Sequence, residues 1–228
     1  MTLHSFSDEN DFWKATLKSS LKIIEEALKK HGQVRIGLAG GSTPKKLYED
    51  LAQENLPWQK ITWIVVDERY VPDEDPESNR HMLRQALFEP AHIPHENQVT
   101  FDITLSPEEA TIGMSQKLKR LEEARMPLFD LLILGAGKDG HIASLFEGDP
   151  HLHTKELAYT VHAPAEYKTT QRLTLSLRIL SHSTRGLLLL KGKEKRSVLK
   201  TLEGEPILPL TALKSLTAKV PTEVFFCP

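Results

Sequence analysis

The chain has 228 residues, of which 39% are hydrophobic, and its formal net charge is −2 at pH 7. That length is enough to bury a sizeable core, and the balanced charge without a dense lysine or arginine run predicts neither a nucleic-acid nor a membrane partner. One cysteine excludes an internal disulfide and a multi-cysteine zinc site. Low cysteine use, the lack of a signal-like N-terminus and the lack of an apolar run near roughly 20 residues predict a cytoplasmic protein, with no oligomeric state specified.

The first half of the chain alternates helices with buried strands. In chain order, the patterns predict a helix over 8–31, a strand over 34–39, a helix that starts at Pro44 with Thr43 as its N-cap, a strand over 61–66, a polar loop in DERYVPDEDPESN and a helix from Ser78.

The second half continues this alternation. The predicted elements are a helix over 106–125 opened by the capping box SPEEA, a strand over 129–134, a helix of barely two turns in IASLFE, strands in LAYTV, RLTLSL and GLLLL, a helix in KEKRSVLKTL, and an edge strand in EVFF. Strands alternating with helices indicate an α/β fold, a mainly parallel sheet with helices on both faces. Since no linker interrupts the pattern, we expect a single domain over 1–228.

Three polar stretches, GGSTP, DERYV and GAGKDGH, each follow a buried run. Ligands of open α/β sheets bind beyond the carboxyl ends of the strands. If the three strands are neighbours, these loops converge on one cleft.

The GGSTP stretch has the composition of an anion site. Gly40 and Gly41 let the backbone approach a ligand closely, Ser42 and Thr43 offer hydroxyls, and the following helix presents unpaired N–H groups. An ordinary capped turn between strand and helix explains the same residues equally well.

The DERYVP stretch places charges where a strand ends. Asp67 can act as a base or orient one, and Arg69 can hold a phosphate or carboxylate through two hydrogen bonds. Arg80, at the start of the next helix, could line the same cleft. A solvated charged loop is the alternative.

GAGKDGH has the glycine spacing of a dinucleotide-binding loop, yet two required features are missing. The following helix is cut short by Gly148 and Pro150, and the acid in range lies in a loop. We therefore expect no nucleotide cofactor, and the remaining candidates are His141 as a general base and Asp139 as the residue that fixes its tautomer. The other paired histidines lack further ligands nearby, so no metal is expected.

Two later cations could complete an anion site. Arg172 begins the strand RLTLSL, and Lys195 lies at the start of a helix after GLLLL. A cation at a helix N-terminus is unfavourable to the helix dipole, which favours a bound anion there. Both side chains could equally be solvated.

Together, GGSTPKKLYEDL, WIVVDERYVPDEDPESNRHML, FDLLILGAGKDGHIASLF, QRLTLSL and GKEKRSVL resemble the 6-phosphogluconolactonase family, in that family's order and over most of the chain. The family belongs to a larger sugar-phosphate group that includes glucosamine-6-phosphate deaminase. The resemblance implies a modified Rossmann-like fold without a nucleotide. It also implies hydrolysis of 6-phospho-D-glucono-1,5-lactone to 6-phosphogluconate in the oxidative pentose phosphate pathway, with no cofactor.

The resemblance also implies roles for the residues singled out above. His141 takes a proton from the water that attacks C1, while Asp67, Arg69 and Asp139 position the sugar hydroxyls and the histidine. The loop N–H groups from Gly137 to Gly140 are candidates to stabilise the oxyanion. The phosphate is held by the Gly41–Ser42–Thr43 loop, with Arg172 and Lys195 as candidate cations.

Two alternatives remain within this fold. A deaminase or isomerase would use Asp67 as base, but it carries a glutamate five residues after the histidine, where this chain has Phe146. A sugar-phosphate sensor would carry a DNA-binding helix-turn-helix, for which the N-terminal helix leaves no room. The chain also departs from the lactonase pattern: Glu147 replaces the usual proline, and EVFFCP stands where a tryptophan strand and acidic tail are typical.

Overall fold

The computed structural model describes residues 1–228, which form ten strands and seven helices. The strands are β1 (Thr2–Ser5), β2 (Val34–Leu38), β3 (Ile61–Val65), β4 (Asp67–Arg69), β5 (Gln98–Val99), β6 (Phe129–Gly135), β7 (Ala158–His162), β8 (Gln171–Leu175), β9 (Ser183–Lys191) and β10 (Thr222–Cys227). The helices are α1 (Glu9–His31), α2 (Ser42–Leu51), α3 (Asn79–Leu83), α4 (Pro107–Ala124), α5 (Leu177–Leu180), α6 (Arg196–Leu202) and α7 (Thr211–Thr217).

Seven strands form one sheet in the order β1-β10-β9-β6-β2-β3-β5, and every neighbouring pair in it is parallel. The predicted mainly parallel α/β sheet is therefore confirmed. A second sheet of three antiparallel strands, β4-β8-β7, lies beside it. The sequence predicted a loop where β4 lies. That prediction was wrong because Asp67, Glu68 and Arg69 pair with β8, more than a hundred residues later.

The final strand is not at an edge, in contrast to the prediction. β10 lies between β9 and β1, and the edge belongs to β1, which pairs with it from Thr2 to Ser5. A four-residue exposed strand carries too weak a pattern to be predicted from sequence. Its pairing converts the chain's last strand into an internal one, which explains the apolar run at Val224–Phe226.

Apolar side chains cover both faces of the large sheet. Along β6, Leu131 and Ile133 pack on the face that carries α1, α2 and α3, and Leu132 and Leu134 pack on the opposite face. Side chains of a strand alternate between faces, so each buried leucine contributes roughly 1.5–3 kcal/mol to one of two cores. This alternation confirms helices on both faces. None of the helices combines the length and apolar character needed to span a bilayer.

The helix ends follow local chemistry closely. Asp8 accepts the N–H groups of Asn10 (2.8 Å) and Asp11 (3.0 Å) at the start of α1, and Gly32 ends the helix in a left-handed conformation. The predicted capping box of Ser106 and Glu109 opens α4. These caps explain why the predicted bounds of α1 and α4 are confirmed.

Two local predictions were wrong. α2 begins at Ser42 rather than Pro44, because Gly41, with φ of 97°, occupies the N-cap position that had been assigned to Thr43. The IASLFE stretch forms no helix, since Ile142 and Leu145 instead close a tight bridge in a turn. Both segments follow directly on strands of the large sheet, at the end where the candidate site lies.

Candidate active site

The carboxyl ends of β9, β6, β2 and β3, which are adjacent in the sheet, open onto a cleft of about 670 Å³. The predicted convergence of the three loops is thereby confirmed. Of the predicted site residues, those that line the cleft are Gly40, Gly41, Ser42, Thr43, Asp67, Arg69, Gly137, His141, Arg172 and Lys195. Asp139 contacts one of them, whereas Arg80 and Gly140 do not line the cleft.

His141 and Asp139 form a hydrogen-bonded pair. The Nδ1 atom of His141 lies 2.7 Å from Oδ1 of Asp139, and the imidazole is only 12% exposed. Burial opposes ionisation of the carboxyl, but the hydrogen bond and charge of His141 outweigh it and lower the pKa of Asp139 to about 2. Because the carboxylate accepts a hydrogen bond from Nδ1–H, a neutral His141 has Nε2 free to accept a proton.

The turn that carries this pair uses its glycine N–H groups internally. The N–H of Gly137 donates to the carbonyl of His141 (2.8 Å), and that of Gly140 donates to the carbonyl of Gly137 (3.1 Å). These two groups therefore cannot serve as the expected oxyanion donors. The N–H groups of Lys138 and Asp139, which belong to the same predicted range, have no protein acceptor and remain candidates.

Both glycines have a steric role in the turn. A Cβ on Gly137 would collide with Asp139 and His141, so the pair can form only if this position lacks a side chain. Gly140 has φ of +87° and packs against Leu210, which places it behind the turn rather than in the cleft.

Aromatic rings and a cation enclose the imidazole. Phe146 lies 4.5 Å from the His141 ring centroid, and Tyr167 lies 5.4 Å away, edge-on at 88°. The guanidinium of Arg172 lies over both rings, at 5.6 Å from the centroid of Phe146 and 5.2 Å from that of Tyr167. Position 146 thus contacts the candidate base directly.

Asp67 lines the cleft in a buried, hydrogen-bonded position. Ser144 donates to one carboxylate oxygen (2.8 Å), and the side-chain amide of Asn79 donates to the other (3.3 Å). The carboxylate is thereby held in one orientation toward the cleft. This suits a residue that positions a substrate hydroxyl or a water.

Arg80 does not reach the cleft, in contrast to the prediction. Its guanidinium pairs with Asp73 (Nε–Oδ1, 2.9 Å), while its backbone N–H and that of Asn79 donate to Glu68 (both 2.7 Å). Burial raises the pKa of Glu68 to about 7, although these N–H groups favour its ionised form. Arg80 therefore links β4 to α3 and leaves anion binding to other cations.

Among the predicted residues, the cations Arg69, Arg172 and Lys195 also line the cleft. Burial lowers the pKa of Arg172, as does the nearby charge of Arg69, and burial lowers the pKa of Lys195. Neither Arg172 nor Lys195 has a carboxylate within ion-pair distance, and Nε of Arg69 is buried without a partner. Ser42 and Thr43 lie in the first turn of α2, which has no side-chain cap. Partly desolvated cations and free N–H groups are what an anion requires.

No three His, Cys, Asp or Glu side chains come together in a way that could hold a metal ion. The glycine-rich loop after β6 is followed by a turn rather than a helix, so it offers no helix N-terminus to a pyrophosphate.

Two cleft-side residues were not predicted from sequence. Ser144 holds Asp67 from a position 77 residues away, and Tyr167 approaches His141 from the loop between β7 and β8. Tyr167 belongs to no pattern that sequence alone could recognise, and Ser144 lies in the GAGKDGHIASLF stretch, which gave no role to its hydroxyl. The proline and the polar composition of the PAEYK stretch, which carries Tyr167, indicated only a loop.

Comparisons with known proteins agree with this geometry. Residues 7–220 match the family model of glucosamine-6-phosphate isomerases/6-phosphogluconolactonase. The chain is 36% identical over 186 residues to the 6-phosphogluconolactonase of Thermotoga maritima, covering 82% of each chain. It is 31% identical over 225 residues to that of Caulobacter vibrioides, covering 96% of this chain and 94% of the relative.

Solved structures show the same likeness. The crystal structure of the Thermotoga maritima 6-phosphogluconolactonase superposes with a TM-score of 0.86 at 29% identity, covering 99% of this chain and 98% of that one. The Trypanosoma cruzi enzyme superposes with a TM-score of 0.82 at 27% identity, covering 98% and 93%. The match over nearly the whole length shows that the chain belongs to the glucosamine-6-phosphate isomerase/6-phosphogluconolactonase family.

Proposed function

We propose that the protein is a 6-phosphogluconolactonase, which hydrolyses 6-phospho-D-glucono-1,5-lactone to 6-phosphogluconate. The observation that carries this proposal is the His141–Asp139 pair, with its 2.7 Å hydrogen bond, in a cleft that the cations Arg69, Arg172 and Lys195 also line. The relatives that match along most of the chain bear this name. The reaction belongs to the oxidative pentose phosphate pathway, and the low cysteine content supports a cytoplasmic location.

A δ-lactone is an activated ester, so water can attack it without a metal or covalent intermediate. Nε2 of His141 accepts a proton from water as the water oxygen bonds to C1, and Asp139 stabilises the imidazolium that forms. The bond from C1 to the ring oxygen then breaks, and the proton passes from His141 to that oxygen. The products are a carboxylic acid, which ionises in water, and a free hydroxyl.

Backbone and cations complete the proposed mechanism. The N–H groups of Lys138 and Asp139 lie beside the candidate base and are our candidates for stabilising the oxyanion at C1. We assign the 6-phosphate to Ser42, Thr43 and the cations Arg172 and Lys195, all of which line the cleft. We assign the sugar hydroxyls to Asp67 and Arg69.

Position 146 favours the lactonase over the deaminase. Phe146 is buried and its ring contacts His141, so no carboxylate is available at the place where a deaminase carries its glutamate.

The decisive experiment measures acid release from 6-phosphogluconolactone by pH-stat, with spontaneous hydrolysis subtracted. His141→Ala should fold but lose about 100-fold or more of its turnover, because general base catalysis supplies about 100- to 10,000-fold. His153→Ala, at an exposed position outside the cleft, is the matched control and should keep full activity. Full turnover in a folded His141→Ala variant, or ammonia release from glucosamine 6-phosphate by the wild type, would contradict the proposal.

A further inference from the structure

Tyr167 is a cleft residue to which the mechanism above assigns no role. It lines the same cavity as His141 and Arg172. It sits in the loop between β7 and β8, where its N–H donates to the carbonyl of Pro164 (3.0 Å) and closes a turn. The backbone therefore holds the tyrosine at this side of the cleft.

The tyrosine hydroxyl faces the same ring nitrogen that Asp139 engages. It lies 3.3 Å from Nδ1 of His141, and the Asp139 oxygen lies 2.7 Å from that atom. A ring nitrogen carries one proton, and the nearer, charged carboxylate is its main acceptor. The tyrosine oxygen is then a second acceptor, and its own O–H is free to donate to the carboxylate, with which it interacts.

The phenol is suited to remain a donor. Burial raises the pKa of Tyr167, and the carboxylate of Asp139 raises it further. Tyr167 therefore stays protonated across the range in which a histidine base operates. Other charged groups near this pair are Lys138 and Lys195, which interact with each other, and Glu166, which interacts with the phenol.

The tyrosine ring has a second contact of its own. It stands edge-on to the imidazole, and the guanidinium of Arg172 lies 5.2 Å from its centroid. One side chain thus touches both the candidate base and a candidate phosphate-binding cation. The two contacts use different parts of the side chain, so substitutions can separate them.

We propose that Tyr167 is a positioning residue, whose hydroxyl holds the His141–Asp139 pair in its reactive orientation and whose ring holds Arg172 in place for the substrate phosphate. The kinetic part of this inference rests on the proposed lactonase function. The hydroxyl acts at the chemical step, because the imidazolium forms there. The ring acts on binding, because an oriented guanidinium loses less freedom when an anion binds.

Two substitutions separate these roles. Tyr167→Phe keeps the ring and should lower kcat for 6-phosphogluconolactone by about three- to tenfold, the worth of one hydrogen bond, with KM within about twofold of wild type. Tyr167→Ala also removes the ring and should raise KM by a further factor of about five, the scale of a cation–π contact. Tyr159→Phe is the matched control. It removes a hydroxyl–carboxylate bond to Asp149 (2.8 Å) outside the cleft and should leave kcat unchanged.

A second readout does not depend on turnover. In ¹⁵N-labelled wild-type protein, the His141 imidazole should show Nδ1 protonated and Nε2 free, assigned by the loss of its signals in His141→Asn. In Tyr167→Phe these signals should move toward a mixture of tautomers, and in Tyr159→Phe they should stay in place. If the wild type proved inactive on the lactone, the proposed function would fail and the nitrogen signals alone would decide this inference. This inference would be overturned if Tyr167→Phe had the same kcat as the wild type, or if its His141 nitrogen signals did not move.

Discussion

Lys195 shows how burial adapts a single side chain to an anion. Burial lowers the pKa of its ammonium, and no carboxylate pairs with it, although Glu194 and Asp139 act on it from a distance. A cation in this state is poorly compensated by the protein's own groups. A phosphate that binds beside it regains the electrostatic stabilisation that burial removed.

At this scale we predict that Lys195→Gln weakens binding of 6-phosphogluconate about 10- to 100-fold, the worth of a charged hydrogen bond. Isothermal titration calorimetry on the free enzyme measures this without turnover. The direction in which affinity changes with pH follows from the lowered pKa of Lys195. The wild-type ammonium loses its proton as pH rises, so wild-type affinity should fall in the alkaline range while that of the variant changes little. Lys193→Ala, an exposed neighbour, is the control, and wild-type affinity in Lys195→Gln would refute the assignment.

Among the elements, α7 begins with a cap that comes from another part of the chain. Its N-cap residue, Leu210, is in a left-handed conformation and provides no side-chain hydrogen bond. The carboxylate of Glu147, 64 residues earlier, accepts the N–H (3.2 Å) and hydroxyl (2.8 Å) of Thr211. The departure from the usual proline at 147 therefore ties α7 to the loop that carries His141. It also holds Leu210 against Gly140.

A double-mutant cycle tests this link. Glu147→Ala should lower the free energy of unfolding by about 1 kcal/mol, as removal of a helix cap does. Thr211→Val, which keeps the side-chain volume but removes the hydroxyl, should lower the free energy of unfolding by a smaller amount. The two losses should not add, because both changes break the same interaction. Urea denaturation measures each value, and strictly additive losses would show that Glu147 and Thr211 are not coupled.

Across the whole molecule, one apolar cluster joins the two sheets. Leu132 and Leu188 of the large sheet belong to the same buried cluster as Val161, Leu173 and Leu175 of the small one. Both sheets therefore contribute side chains to this one core. We therefore propose that residues 1–228 fold as a single domain, as the uninterrupted alternation of elements predicts.

Cooperative unfolding is the corresponding prediction. Calorimetric and van't Hoff enthalpies of unfolding should agree, and amides of β6 and β8 should exchange by the same global opening at moderate urea. Two separate transitions, with the small sheet opening first, would contradict a single domain. Asp130→Asn provides a probe of the large sheet. It weakens the buried bidentate ion pair with Arg125 (2.7 and 2.8 Å). If the two sheets unfold as one unit, this variant should lower the stability of β6 and of β8 by the same amount.

By itself, the sequence determined the features that are written within one element. Helix periodicity and caps located α1 and α4, and the three buried runs before polar loops predicted both the parallel sheet and the place where the loops meet. His141 could be singled out because its loop follows one of those runs. Its role as the base, like the roles of the other site residues, stays a prediction until the variants are measured.

Only the tertiary structure decided the features that need a partner from elsewhere in the chain. β4 is a strand because β8 pairs with it, and β10 is internal because β1 covers its edge. Arg80 turns from the cleft to Asp73, and Tyr167 reaches His141 from a loop without a recognisable pattern. A local sequence window contains the propensities of its own residues but not the identity of a distant partner. The surroundings of the candidate base were therefore visible only once the chain was folded.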